Sequence, residues 1–144
     1  MNNDLQNNIR YVVSVTPLAI GANGTKTGTI VDRKGFNGVQ FVATYGSVTT
    51  TGTVCTLVIR EGDVTGTMTS VADADLIGTE ALASLTAGTP RTAGVNRDVS
   101  RRVGYIGNKR YVQALVVQTG VTSVGCVSVN AILFNPHVAP TSNP

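Results

Sequence analysis

The chain has 144 residues, a formal net charge of +3 and only 13% charged residues. Its length suits one domain whose core needs no disulfide or metal to hold it together, and its many valine, threonine and glycine residues favour strands and turns over helices. No apolar run reaches the length of a membrane span, and the modest charge lacks the dense basic face of a typical nucleic-acid binder. A weakly charged surface of this kind suits contact with other proteins.

Short strand-like runs recur between turn signals in the first half of the chain. The first covers 10–20 and contains Pro17, which confines the run to a sheet edge or splits it in two. A second run covers 25–32. Alternation predicts two further strands over 39–45 and 54–61. We expect one face of the first to carry Val39, Phe41, Ala43 and Tyr45, and one face of the second to carry Cys55, Leu57 and Ile59.

The second half continues the pattern after a turn over 61–67. Residues 70–76 are the one place where the sequence allows a helix, a single turn capped by Ser70, and Gly and Pro mark a loop over 78–96. Further strands are expected over 98–106, 109–119 and 126–134, the last with Val127, Val129, Ala131 and Leu133 on a common face. Seven or eight short strands predict an antiparallel β-sandwich. The irregular connections favour a jelly roll over an up-and-down barrel.

The clearest local pattern covers 103–117, where two runs of β-branched and aromatic residues flank Gly107-Asn108. A Gly-Asn pair suits the two-residue turn that joins antiparallel strands. We therefore expect a β-hairpin in which a guanidinium lies on a phenol ring. The expected opposite pairs are Tyr105 with Arg110 and Gly104 with Tyr111.

The chain divides into a polar N-terminal arm over 1–9, a sandwich domain over 10–135 and a proline-rich C-terminal arm over 136–144. The first residues lack the apolar segment of a signal peptide, so we expect folding in a reducing cytoplasm. Cys55 and Cys126 both lie in predicted strands and are expected to be buried free thiols, although the sequence leaves a disulfide between them open.

Catalytic and metal-binding arrangements have little support in the sequence. The single histidine, His137, lies in the C-terminal arm, a poor place to hold a base rigidly beside a nucleophile. One histidine and two distant cysteines cannot form a zinc site of the usual spacing. The spacing of the turn carboxylates does not match a calcium loop, so the simpler interpretation is that they are solvated; they are Glu61, Asp63, Asp73 and Asp75. We expect no enzyme activity, cofactor or metal.

A local concentration of basic residues is the main electrostatic feature. Six of the eleven basic residues fall within a short window, which indicates either a solvated flank or a surface that docks on an acidic protein. They are Arg91, Arg97, Arg101, Arg102, Lys109 and Arg110. Phe36, in a glycine-flanked loop, is either an exposed anchor for a partner or a core residue at the start of the next strand.

A set of short motifs occurs in a characteristic order over 25–136. They are Asp32-Arg33-Lys34-Gly35-Phe36, Glu61-Gly62-Asp63, Asp73-Ala74-Asp75-Leu76-Ile77-Gly78, the segment GYIGNKRYV over 104–112, and a last strand closing on Pro136. In this order of elements the chain resembles the head decoration, or cement, proteins of tailed bacteriophages. One departure is Gln113, where hairpins of the family commonly carry a further basic residue.

The resemblance implies a non-enzymatic jelly-roll protein on the outside of the expanded capsid that bridges neighbouring major capsid proteins. It would be made in the host cytoplasm and act as a homo-oligomer, with dimer and trimer both open. No membrane, no cofactor and no direct nucleic-acid binding are expected. The capsid-docking candidates are Arg101, Arg102, Lys109, Arg110, Tyr105 and Phe36.

Two alternatives stay open at this point. One is a head–tail connector or tail structural protein, which the sequence barely separates from a decoration protein. The other is a carbohydrate-binding jelly roll, which the composition disfavours because sugar sites usually stack on aromatic rings, and aromatic residues make up only 5% of the chain with no tryptophan.

Overall fold

The computed structural model describes residues 4–48, 52–86, 98–122, 125–139 and 141. These residues form ten strands, one short α-helix and a 3-10 helix at Asp73–Asp75. Eight of the strands have four residues or more, which matches the number expected from the sequence. In chain order the elements are β1 Ile9–Ile20, β2 Gly24–Thr27, β3 Val31–Asp32, β4 Phe36–Tyr45, β5 Val54–Val64, β6 Thr67–Ser70, β7 Leu76–Ile77, α1 Glu80–Ala83, β8 Val99–Tyr105, β9 Tyr111–Thr119 and β10 Gly125–Pro136.

The strands form two antiparallel sheets packed as a sandwich. Sheet A has the order β1-β10-β4-β8-β7, and sheet B has the order β2-β9-β5-β6, with β3 also paired to β9. The chain passes back and forth between the sheets, so that β1, β4, β7, β8 and β10 lie in sheet A and β2, β3, β5, β6 and β9 lie in sheet B. This is the connectivity of a jelly roll, and the predicted fold class is confirmed.

The core lies between the two sheets and is built from the alternating faces that the sequence predicts. Every member of the three predicted faces is 2% exposed or less, because successive side chains of a strand point to opposite sides. Each fully buried aliphatic or aromatic side chain contributes about 1.5–3 kcal/mol. The buried set is Val39, Phe41, Ala43, Tyr45, Cys55, Leu57, Ile59, Val127, Val129, Ala131 and Leu133.

The first strand lies at the edge of sheet A, as the proline in its sequence predicts. β1 pairs only with β10 in that sheet, and its register shifts between Val15 and Leu18, around Pro17. A proline has no N–H to donate, so an edge position with an irregular register accommodates it.

The chain ends meet at one end of the sandwich. The backbone N–H of Thr141 donates to the carbonyl of Asn7 (2.9 Å), and that of His137 donates to the carbonyl of Gly35 (2.8 Å). β1 begins and β10 ends one residue outside the predicted domain range of 10–135.

A short helical segment closes one side of the sandwich, in a region that the sequence predicts to be a loop. β6 pairs with β5 only from Arg60 onward, so the earlier N–H groups on that edge of β5 need other acceptors. The N–H groups of Cys55, Leu57 and Ile59 donate to the carbonyl of Leu85 (2.8 Å), to Oγ of Ser84 (2.8 Å) and to Oε1 of Glu80 (2.5 Å), respectively.

The predicted helix is therefore only partly correct. Within 70–76 the chain forms the 3-10 helix, which has no side-chain cap, so capping by Ser70 is wrong. The α-helix begins after Thr79, whose hydroxyl accepts from the N–H of Leu82 (3.1 Å) in the usual manner of a capping threonine. Residues 87–97 of the predicted loop lie outside the described residues.

The predicted hairpin at Gly107-Asn108 is wrong. β8 pairs with β4 and β7 in sheet A, whereas β9 pairs with β5 in sheet B, so residues 106–110 cross from one sheet to the other. We call these five residues the crossover loop. Gly107 lies over the ring of Tyr105, where a Cβ atom would come 2.5 Å from the phenol oxygen. The glycine thus allows the loop to pack on a buried ring and does not form a two-residue turn.

The strand register replaces both expected cross-strand pairs. Tyr105 lies opposite Val39 and Leu76, and Tyr111 lies opposite Asp32 and Gly62. The guanidinium of Arg110 lies over the ring of Tyr111 at 4.9 Å from its centroid, not over the ring of Tyr105.

Neither cysteine forms a disulfide bond, and only one of them is buried. Cys55 lies in the core, whereas Cys126 is exposed. The alternation that buries Val127 turns the preceding residue to the outside of sheet A, so the prediction that Cys126 is buried is wrong.

Candidate docking site

The six predicted docking residues do not form one patch. Three of them lie around the crossover loop, one lies against α1, one lies on the outside of sheet A, and one begins β4. They are, in that order, Tyr105, Lys109 and Arg110; Arg101; Arg102; and Phe36.

Tyr105 anchors the crossover loop through its hydroxyl group. The hydroxyl donates to Oε2 of Glu61 (2.5 Å) and accepts from the backbone N–H of Lys109 (3.0 Å). Burial raises the pKa of Tyr105, and its hydrogen bond to Glu61 raises it further. The hydroxyl therefore stays protonated at neutral pH and keeps donating to the carboxylate.

Arg33 also holds the crossover loop in place. Its guanidinium lies over the ring of Tyr105 at 5.2 Å from the centroid, and its Nε donates to the carbonyl of Lys109. Its backbone N–H donates to the carbonyl of Arg110 (3.1 Å). These contacts hold the backbone of the loop at both Lys109 and Arg110. The point from which each of the two side chains extends is therefore fixed.

The cations of the crossover loop are paired with carboxylates. Nζ of Lys109 lies 2.6 Å from Oδ2 of Asp63, and Arg110 donates through two nitrogens to both oxygens of Asp32 (3.0 and 2.7 Å). The hydrogen bond from Arg110 lowers the pKa of Asp32, and that from Lys109 lowers the pKa of Asp63. The positive charge expected at this loop is therefore compensated locally.

Arg101 and Arg102 point to opposite sides of β8. Nη1 of Arg101 donates to the carbonyl of Ser84 (2.8 Å) and holds the segment after α1 against sheet A. Arg102 is exposed on the outside of the sheet, and no hydrogen bond or ion pair joins its side chain to another described residue. Of the adjacent pair, Arg101 has a structural role and Arg102 is available to a partner.

The outside of sheet A is a broad face on which apolar side chains lie beside uncharged polar ones. The polar members of this face are Gln40, Thr44, Ser100, Ser128 and Asn130. Strand register places the side chains of Ile9, Tyr11, Val13, Val42, Ile77, Ile132 and Phe134 on it. Tyr11, Val13 and Ile77 are 57%, 49% and 57% exposed. At the described strand positions of this face, which we call the outer face of sheet A, Arg102 is the only charged residue.

Two glycines shape this face. The ring of Phe134 lies over Gly38, where an added Cβ atom would overlap the ring. The side chain of Ile77 lies against Gly104, where an added Cβ atom would come 3.1 Å from the Cβ of Ile77. Between Phe134 and Ile77 lies a hollow of about 450 Å³ that includes Arg102.

A second hollow, of about 390 Å³, adjoins the first. It is lined on its apolar side by Val42 and Ile132. Ser100 and Arg101 also line the second hollow. Gln40 and Arg102 line both hollows, so the two adjoin at these side chains and form one groove. We call this feature the Arg102 groove.

Phe36 packs partly against the core, which favours the core interpretation over the exposed anchor. It also lines a cleft of about 270 Å³ with Arg10, Pro136 and His137. Nε2 of His137 lies 2.8 Å from Oδ1 of Asn37. Neither contact brings His137 beside a nucleophile.

The predicted turn carboxylates do not gather into one site. Glu61 and Asp63 lie at the crossover loop, each with its own partner, and Asp73 and Asp75 lie in the 3-10 helix. Within the described residues no three His, Cys, Asp or Glu side chains are grouped as metal ligands would be. No helix in the described ranges has the length and apolar character needed to cross a membrane.

Sequence reasoning missed the outer face of sheet A as a surface. The apolar residues Ile132 and Phe134 at outward positions of the last strand were a visible signal, but joining them to Tyr11, Val42 and Ile77 requires the sheet order.

Comparison of the chain with protein-family models and with curated proteins gave no match.

Proposed function

We propose that this chain is a structural virion protein of a tailed bacteriophage that binds the outside of the capsid and cements neighbouring major capsid proteins in the expanded head. The proposal draws on the order of motifs over 25–136 and on the jelly-roll sandwich that carries them. Its function is binding without catalysis, and its site of action is the capsid exterior.

The observation that carries the proposal is the outer face of sheet A. Tyr11, Val13 and Ile77 are large apolar side chains exposed on a face with a single charge, and exposed apolar patches commonly mark protein interfaces. Tyrosine and arginine, both present here, are the residue types that most often anchor interfaces.

The structure of the sandwich suits a mechanical role. The core is enclosed between the two sheets, and α1 closes one open edge of β5. Tyr105 and Arg33 fix the crossover loop. A rigid body loses little conformational entropy on docking, and modest contacts repeated over a symmetric shell add up to a large stabilisation. Homo-oligomerisation as a dimer or trimer would increase that effect.

A binding assay with capsids tests the proposal. Capsids from a phage lacking this gene would be mixed with the purified protein, sedimented and analysed for bound protein. We expect saturable binding at a fixed ratio to the major capsid protein and a higher temperature of capsid disruption. Wild-type protein that stays in the supernatant at all concentrations would contradict the proposal.

A further inference from the structure

The Arg102 groove contains a cation that has no carboxylate partner within the described residues. Lys109 and Arg110 are paired with Asp63 and Asp32, whereas Arg102 lies among apolar and uncharged side chains, with Arg101 as the other cation that lines the groove. In the free protein, water solvates the guanidinium. When a partner covers the groove that water is lost, and an unpaired buried cation would weaken binding strongly.

A second copy of this chain is a poor occupant for the groove. Two copies meeting through their outer faces of sheet A would bring two Arg102 side chains into one interface. The described strand positions of this face offer no carboxylate to either of them. Like charges without acceptors oppose association, so the occupant must differ in charge from this chain's own face.

The size of the face suits a protein partner. β4 has 10 residues and sheet A has five strands, which at about 3.3 Å per residue and about 4.8 Å between strands give a face of roughly 700 Å². A protein complex of standard size buries about 800 Å² on each partner. The outer face of sheet A alone nearly supplies that area.

We infer that the Arg102 groove binds a segment of the major capsid protein in which an Asp or Glu side chain lies between apolar side chains. The carboxylate pairs with the guanidinium of Arg102, and the apolar side chains enter the hollow beside Phe134 and Ile77 and the hollow beside Val42 and Ile132. This inference rests on the proposed function, since it takes the capsid protein as the partner.

Charge reversal at Arg102 tests the inference in the capsid sedimentation assay. Truncating one member of a buried charge pair commonly weakens binding by a factor of about thirty or more, so Arg102→Glu is expected to raise the dissociation constant at least about thirtyfold. Arg60→Glu is the matched control, because Arg60 is exposed on the outside of sheet B, and it should bind as the wild type does.

A second measurement uses the unaltered chain and so does not depend on the folding of a variant. Cys126 is exposed on the outer face of sheet A, and Cys55 is buried. Alkylation of Cys126 by N-ethylmaleimide should slow when the protein is bound to capsids.

The outcomes separate the two proposals. Wild-type protein that fails to bind capsids overturns the proposed function. Wild-type binding with an equally tight Arg102→Glu variant overturns the Arg102 pairing alone, and equal alkylation of Cys126 on and off the capsid overturns docking through this face.

Discussion

Replacing Tyr105 with phenylalanine removes one hydroxyl group that joins the two sheets. The hydroxyl belongs to β8 of sheet A, donates to Glu61 in β5 of sheet B and accepts from Lys109 in the crossover loop. The ring, its burial and its contact with Arg33 remain. The substitution therefore isolates the two hydrogen bonds.

The expected loss can be estimated from these contacts. A hydrogen bond to a charged group contributes about 1.5–3 kcal/mol and a neutral one about 0.5–1.5 kcal/mol. Glu61 is only half-buried, so water recovers part of the lost interaction, and we expect a decrease of about 2 kcal/mol in the free energy of unfolding. In a domain of 144 residues this lowers the Tm by about 6 °C.

Urea and thermal unfolding followed by circular dichroism measure this change. Tyr111→Phe is the matched control, because Tyr111 begins β9 at the other end of the crossover loop and its hydroxyl has no hydrogen bond to a described residue. The control should change the unfolding free energy by less than about 0.5 kcal/mol. Equal stability of the two variants would refute the role given to the Tyr105 hydroxyl.

Substitutions at Glu80, Gly107 and Arg101 test other parts of the structure. Burial raises the pKa of Glu80. Its contribution to stability is therefore greatest below the unfolded-state pKa near 4.5 and falls as the pH rises through the raised value, and Glu80→Gln should remove this dependence in urea titrations at several pH values. Glu80→Ala should lower the free energy of unfolding by about 1–3 kcal/mol at pH 7, because it leaves a backbone N–H of β5 unpaired. An unchanged pH profile in Glu80→Gln would contradict this account. Gly107→Ala should lower the free energy of unfolding by about 1–3 kcal/mol, because the added Cβ would overlap a buried ring. Gly66→Ala is the control, since Gly66 has open space around it, and it should have little effect on the Tm. Similar Tm values for the two variants would show that the crossover loop does not pack as described. Arg101→Ala should lower the Tm by loosening the segment after α1, while Arg102→Ala should leave it unchanged, and the reverse order would reassign the two arginines.

The inner faces of the sandwich could be predicted because their signal is local. Alternation along a strand decides which side chains share a face, and it correctly identified the buried residues of β4, β5 and β10. The same alternation applied to Cys126 would have placed it outside, since its neighbour Val127 is buried.

The crossover at Gly107-Asn108 could not be predicted from turn chemistry. A glycine-asparagine pair fits a hairpin turn, but the sheet to which each flanking strand belongs depends on distant partners, namely β4 for β8 and β5 for β9. The glycine is needed here because the loop packs on the ring of Tyr105, a contact that no local pattern reveals.

The candidate docking site was predicted residue by residue but not as a surface. Lys109 and Arg110 were expected at the start of a hairpin strand but lie in the crossover loop. The carboxylates that pair with them are 46 and 78 positions away in the sequence. Arg101 and Arg102 are adjacent in the sequence and lie on opposite faces of a strand. The outer face of sheet A collects residues from five strands, so only the sheet order brings them together.

The copy number of this chain in purified phage particles tests the central claim most directly. Quantitative mass spectrometry would measure it against the major capsid protein. A decoration protein on the shell lattice should be present in a number comparable to that of the capsid protein. A small number set by the portal axis would instead indicate a connector or tail component, and absence from the particles would contradict a virion role altogether.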